Sequence, residues 1–348
     1  MMENAVDRSY YIDFAQVRGG KIIEALGRTI TRISPNTPTC QLFTGHIGCG
    51  KSTELWRLKA ELEQAGFHVV YFESTQVLDV VDLDVTDILI AIAGQVSESL
   101  EAINIRLKPG YFNKLFGEIV NFLQTPLDLE LQGELSVGIA KITAKTKESP
   151  NLRRRLRDYL EPRTENILNS INTELLARAI TELKAKGKKG LVVIVDNLDR
   201  VDIRPLPSGR SLPEHLFIDR GEQLRKLNCH VVYTIPLALT FSNDSVHLQQ
   251  RLGGGVAPQV LPMIPVRQRT GEINGVGLSL MRQMVLARAF PDIPIIDRLG
   301  LILEVFDSQE TLDRLCLISG GHVRDLLGLL FVCVREQDPP FDRDCVDL

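Results

Sequence analysis

Nine consecutive residues, Gly45-His46-Ile47-Gly48-Cys49-Gly50-Lys51-Ser52-Thr53, constrain this chain more than any other stretch. Gly45, Gly50, Lys51 and Ser52 satisfy the spacing G-x-x-x-x-G-K-[ST]. The preceding CQLFT suits a short strand. The following STELWRLKAELEQAG places Leu55, Leu58 and Leu62 at helical spacing, and Gly66 supplies the stop. Strand, glycine-rich loop and helix is the context in which this pattern has a physical meaning. Glycines let successive backbone N–H groups turn inward around an anion, and the helix amino terminus adds a partial positive charge. Lys51 is then placed for the β- and γ-phosphates of a nucleotide, and the Ser52 hydroxyl for Mg2+. All nine residues are candidate nucleotide ligands.

A second stretch, LVVIVDNLDR at 191–200, completes the idea. An apolar run ending in Asp196 reads as a buried strand that delivers a carboxylate to its carboxyl end. Beside a phosphate loop, that carboxylate is placed to hold Mg2+, directly or through water. Asn197 occupies the position where a catalytic glutamate would be expected, and Asp199 follows two residues later. Either this region hydrolyses a nucleotide, with Asp199 as proton acceptor, or it only binds and switches.

Along the chain, FHVVYFES (67–74) predicts a strand and TDILIAIAGQVSESLEAI (86–103) a helix, so the start is β-α-β. LDLELQGELSVGIAKITAK (127–145) alternates apolar and polar residues and predicts a β-ribbon turning at Gln132–Gly133. NLRRRLRDYLEPR (151–163) predicts a basic helix broken by Pro162. A long amphipathic helix should follow over 165–187, with Ile167, Ile171, Leu175, Ala179 and Leu183 on one face. NCHVVYTIPLAL predicts a strand ending at Thr234, and VLPMIPV (260–266) a further short one. Beyond it, INGVGLSLMRQMVLARAF, DRLGLILEVF, ETLDRLCLIS and GHVRDLLGLLFVCVREQ all read as helical. The expected fold is α/β: a parallel sheet sandwiched by helices and closed by a helical lid. Residues 1–39 form a lead-in, 40–266 the core with an insertion at about 105–163, and 267–348 the lid.

Bulk properties narrow the partners. The 348 residues are 44% hydrophobic and 24% charged, enough for a sizeable core. The net charge of −4 exerts no global pull on nucleic acid or anionic membrane. No apolar run approaches the roughly 20 residues that span a bilayer, and the polar amino terminus does not read as a secretory signal. Six scattered cysteines without a CxxC pair are expected to be reduced thiols of a cytoplasmic protein. The six histidines are also dispersed, so no metal site of protein ligands alone is expected.

The phosphate loop, the Asp196 strand, the strand ending at Thr234 and the segment SGGHVRDLL together resemble the AAA+ ATPases. Within that group the likeness is to origin-recognition ATPases and to signalling STAND NTPases, over roughly residues 10–335 without the insertion. The resemblance implies ATP and Mg2+ as cofactors, with Thr234 sensing the γ-phosphate and Arg324 of the lid contacting the phosphates. It implies an arginine donated by a neighbouring subunit, for which Arg251 lies nearest the usual place and Arg267 and Arg269 are alternatives. It also implies that the lead-in YYIDFAQVRGG covers the adenine, with Tyr11, Ile12 and Arg18 as candidates. His322 reads as a helix-start residue. The D-N-L-D-R order departs from typical AAA+ members and looks more like the D-x-x-D arrangement of STAND-like NTPases, which suggests slow turnover.

Three functions compete. One is a slow ATPase that acts as an oligomerisation or signalling switch, as in bacterial defence, forming homo-oligomers through the nucleotide face and passing the signal to an effector protein. The second is a DNA-loading or initiator-type ATPase. The third is a nucleotide-binding scaffold without hydrolysis, which Asn197 keeps open. The short basic runs NLRRRLR and KAKGKK read more simply as solvated helix faces than as phosphate-tracking surfaces. The closing FDRDCVDL looks like the start of another helix, so a further domain is expected after it.

Overall fold

The computed structural model describes residues 10–107, 110–123 and 135–347. Its five strands are β1 (Cys40–Gly45), β2 (His68–Glu73), β3 (Leu191–Asp196), β4 (His230–Thr234) and β5 (Gln259–Leu261), arranged in the order β2-β3-β4-β1-β5. The β2–β3, β3–β4 and β4–β1 ladders are parallel, with Glu73 opposite Asp196, Val195 opposite Tyr233 and Phe43 opposite Thr234. Parallel strands in these registers bring the ends of β1 to β4 to one edge, where ligands of open α/β sheets bind. Every residue of β3 is buried, which accounts for its unbroken apolar run. β5 is shorter than VLPMIPV suggests, because Pro262 has no N–H for a ladder and ends the strand at Leu261.

The described residues form two compact units, one within 26–44 and 61–259, the other within 1–25, 45–60 and 260–347. In the first, helix Val85–Glu101 starts with a capping box between Asp84 and Asp87. It packs on helix Leu135–Glu148, whose Ile139 lies so close to Gly94 that a Cβ there would sit 3.0 Å away. This helix overturns part of the expected ribbon: residues 135–145 are helical, while 127–134 lie outside the described residues. Leu135, Val137 and Ile139 alternate, whereas Leu135, Ile139 and Ile142 share one helical face, and burial of that face with Val137 left exposed decides for the helix. The basic helix Pro150–Leu160 is capped by Ser149 and ends ahead of Pro162. The following helical run carries Ile167, Ile171, Leu175, Ala179 and Leu183, all fully buried. Steps of four residues over-rotate an α-helix by about 40° each. The wider π-turn at Ile171–Leu176 brings the stripe back to one face.

In the second unit, helices Gly275–Ala289, Gln309–Ile318 and Val323–Glu336 surround Phe306, Leu312, Leu315 and Leu326. Ile12 and Phe14 of the lead-in belong to the same core. The stretch DRLGLILEVF is only the end of a one-turn helix, Ile295–Arg298, followed by a 3-10 segment at Leu299–Glu304. Gly300 offers no side chain to hold a longer helix against the core. Among the described residues no helix is long and apolar enough to cross a membrane, and none of the six cysteines forms a disulfide.

Candidate nucleotide site

Helix Lys51–Gln64 begins directly after the glycine loop and buries Leu55, Leu58 and Leu62 completely, as its spacing predicts. Its first residue, Lys51, is buried, and its Nζ donates to the carbonyls of Gly45 and His46, both at 2.9 Å. The cation thus closes the loop on itself. Ser52 follows in the first helical turn, half-buried, and Thr53 beside it is exposed.

Four partners from the same unit hold the loop. The Arg18 guanidinium donates to the Cys49 carbonyl at 2.6 Å, and the buried Cys49 thiol approaches the Leu261 carbonyl at 3.8 Å. The backbone N–H of Arg324 donates to the Gly48 carbonyl at 3.2 Å. The His322 imidazole lies 2.5 Å from the Ile47 carbonyl through Nε2 and caps helix Val323–Glu336 by accepting from the Asp325 N–H. Gly48, with φ of 89°, permits this approach, since a Cβ there would meet the His322 ring at 2.4 Å and the Arg324 Cβ at 2.9 Å. Gly321 has the same role in the lid, where a Cβ would fall 1.7 Å from the Ile264 carbonyl. The Arg324 side chain itself is exposed.

A cavity beside the loop is lined by Tyr11, Ile12, Arg18, Gly50, Thr53 and Glu54. Lead-in residues and the first turn of the loop helix therefore share one cleft. Burial pushes the Glu54 carboxyl above its ordinary range, and Tyr11 and Arg57 both donate to it. Glu54 escaped the sequence reading because it sits just beyond the motif, on a helix face that its neighbours make look solvated.

In the other unit, Asp196 ends β3 with no exposed surface. Its Oδ1 accepts from the Asn197 N–H at 2.7 Å and its Oδ2 from the Tyr71 hydroxyl at 2.8 Å. Asn197 then takes the left-handed conformation, φ 62° and ψ 11°, which asparagine tolerates better than most residues. The turn so formed sends the Asn197 amide across to β2, where Nδ2 donates to Glu73 Oε2 at 3.0 Å. Asp199 lies in the 3-10 turn Leu198–Arg200 and is buried. Thr234 is fully buried as well. Its hydroxyl accepts from the Leu198 N–H at 2.9 Å and donates to the Val195 carbonyl at 3.4 Å, pinning the DNLD turn to β4. Glu73 and Tyr71 were missed in sequence, although FHVVYFE shows the same signature as the Asp196 strand: an apolar run that ends in an acid.

The arginines considered for a partner subunit are all exposed. Arg251 closes helix Ser245–Arg251 and reaches the Ile218 carbonyl at 3.5 Å, whereas Arg267 donates to Gly271 at 3.0 Å within its own turn.

Magnesium fits this donor set. Asp196 accepts one hydrogen bond on each oxygen, and a carboxylate has about four acceptor positions. Among the described residues no group of three or more His, Cys, Asp or Glu side chains could hold a metal. No curated protein matches the chain. Residues 20–208, more than half of the chain and including both the phosphate loop and the Asp196 strand, match the KAP family P-loop domain, and the chain belongs to that family of P-loop NTPases.

Proposed function

We propose that this protein binds ATP with Mg2+ and hydrolyses it slowly, as an AAA+/STAND-like switch in which the helical lid reads the state of the phosphate loop. The observation that carries this reading is the seating of the lid on the loop, through Arg324 N–H to Gly48 and His322 to Ile47. Any rearrangement of residues 45–50 around phosphate has to alter these two contacts. Loop occupancy and lid position are therefore coupled by direct bonds, which is what a switch requires.

In this reading the loop N–H groups and Lys51 hold the phosphates, and Ser52 and Asp196 hold the metal. Bound Mg2+ would neutralise charge on the β- and γ-phosphates. Residues 1–39, 40–266 and 267–348 act as lead-in, core and lid, and the cleft at Tyr11 and Arg18 takes the adenine. Two acids of the sheet edge, Asp199 of the DNLD turn and Glu73 of β2, compete as proton acceptor, Thr234 positions that turn toward the γ-phosphate, and Arg251 serves a neighbouring subunit. The DNA-loading alternative draws no support from the basic helix, since Arg153 pairs with Asp79 at 2.5 Å and Arg157 with Asp82 at 2.8 Å.

Calorimetry with Mg-ATP, together with turnover at increasing protein concentration, tests the proposal. Binding with turnover that rises on association is expected. Binding without turnover at any concentration would leave a nucleotide-binding scaffold, and stimulation by duplex DNA alone would favour the initiator class. Mixed oligomers test Arg251: Arg251→Ala subunits should restore turnover to Asp196→Ala subunits.

A further inference from the structure

We infer that Glu73, at the end of β2, is the carboxylate that takes the proton from the attacking water, with Asn197 as its positioning residue. The inference rests on the hydrolytic reading above. Glu73 and Asp196 are directly opposed in the parallel β2–β3 ladder. Opposed residues of parallel strands place their side chains on the same face about 4.8 Å apart. Tyr71, two residues earlier on that face, confirms the geometry by reaching the Asp196 carboxylate.

The chemistry assigns different roles to the neighbours. Asn197 stands one residue after the metal carboxylate, where a base would be expected, yet a neutral amide has no site that accepts a proton from water. What it has is an N–H, and that N–H is donated to Glu73 Oε2 at 3.0 Å. A donor on one carboxylate oxygen stabilises the anion and fixes its plane, leaving Oε1 available to water. Glu73 also precedes the short helix Ser74–Val77 without capping it, so its side chain is committed to the sheet edge rather than to the local backbone. It is half-buried, which leaves it open to a water molecule. Asp199 is buried in its turn and belongs to the 3-10 segment that Thr234 pins.

The step balances without a further reagent. The water oxygen bonds to the γ-phosphorus, and its proton passes to Glu73. The bond from that phosphorus to the bridging oxygen breaks, and its electron pair leaves on the diphosphate. Glu73 then returns the proton to solvent or to the released phosphate.

The test uses the full chain and four variants: Glu73→Gln, Asn197→Asp, the double variant carrying both, and Asp199→Asn. Glu73→Gln should lower kcat by about 100-fold or more, the span of a general base, with Mg-ATP affinity within about twofold of the wild type. The double variant exchanges carboxylate and amide across the same hydrogen bond and should recover turnover to within about tenfold of the wild type, which a merely structural glutamate would not allow. It also decides the matter should Glu73→Gln fail to fold, because it preserves one acid and one amide in contact. Glu73→Gln turnover within threefold of the wild type, or no recovery in the double variant while Asp199→Asn alone is inactive, would overturn the inference in favour of Asp199. A wild type that binds Mg-ATP yet never turns over would instead overturn the hydrolytic reading, and this inference with it.

Discussion

The phosphate loop and the acidic sheet edge are built in opposite ways. Residues 45–53 form a contiguous motif that in the proposed reading binds mostly through backbone N–H groups, so its chemistry depends on local conformation at a few glycines. The acidic edge gathers Glu73, Asp196 and Thr234 from three strands, and hydrogen bonds between residues far apart in the chain set its geometry. In the proposed reading the backbone does the binding, so side-chain identity at His46 and Ile47 matters less than the lack of a side chain at Gly48, where a Cβ would meet the His322 ring. At the edge, by contrast, changing one side chain alters what its neighbour can do. A contiguous site can be read from one stretch, whereas an assembled site has to be read in pairs.

The largest expected effect breaks the loop and spares the edge. Lys51→Ala removes the buried cation, and charge-assisted bonds worth about 3 kcal/mol correspond to a loss of about 100-fold in ATP affinity. Calorimetry on the folded variant checks this, and retained tight binding would sink the phosphate-loop assignment. Asp196→Asn breaks the edge instead. Turnover should fall by about 100-fold or more, and the gain in affinity that Mg2+ confers should disappear, leaving the weaker metal-free binding intact.

Smaller changes sharpen the contrast by acting on the way the loop is held. Gly48→Ala forces a Cβ into the His322 ring at a left-handed backbone position, and about a tenfold loss of ATP affinity is expected from strain of roughly 1–2 kcal/mol. Adding His322→Ala should recover part of that loss, since it removes the nearer clash and leaves the Arg324 Cβ and the backbone term. No recovery would mean that the lid does not restrain the loop. Arg324→Ala, which keeps the backbone bond to Gly48, should weaken protease protection by ATP about two- to fivefold while stability stays near that of the wild type. Unchanged protection would make Arg324 a solvated surface residue.

The smallest effect belongs to the opposite end of the sheet, where His230 opens β4 and its Nδ1 meets the Thr39 hydroxyl at 2.9 Å. Burial holds this imidazole below its ordinary pKa. The neutral ring is therefore the folded form, and its contribution is complete above the unfolded value of about 6.5. That contribution is lost as pH falls through the lower folded value. Between pH 7.5 and 5.5 the melting temperature of the wild type should fall by more than that of His230→Gln. Equal slopes would show that the ring does not titrate with folding.

Much of the fold was legible because hydrophobic period and turn chemistry are local. Strands β2, β3 and β4, the loop helix and the long lid helices follow directly from apolar runs and stop signals. The segment 135–145 was misread because Leu135, Val137 and Ile139 alternate while Leu135, Ile139 and Ile142 share a helical face, and only a partner helix with the small, buried Gly94 as a seat selects between them. The run 297–306 has apolar residues at helical spacing, yet most of it is held in a 3-10 turn.

The sequence by itself determined the P-loop, the buried strand that ends in Asp196 and the order of strand and helix, because each is encoded within a dozen neighbouring residues. Only the tertiary structure decided that Asn197 faces Glu73, that Thr234 spends its hydroxyl on the DNLD turn, and that His322 and Arg324 sit on Ile47 and Gly48. Asn197 and Glu73 stand 124 positions apart. Their meeting follows from the register of two parallel strands, which is settled by packing along their whole length rather than by any residue near either of them.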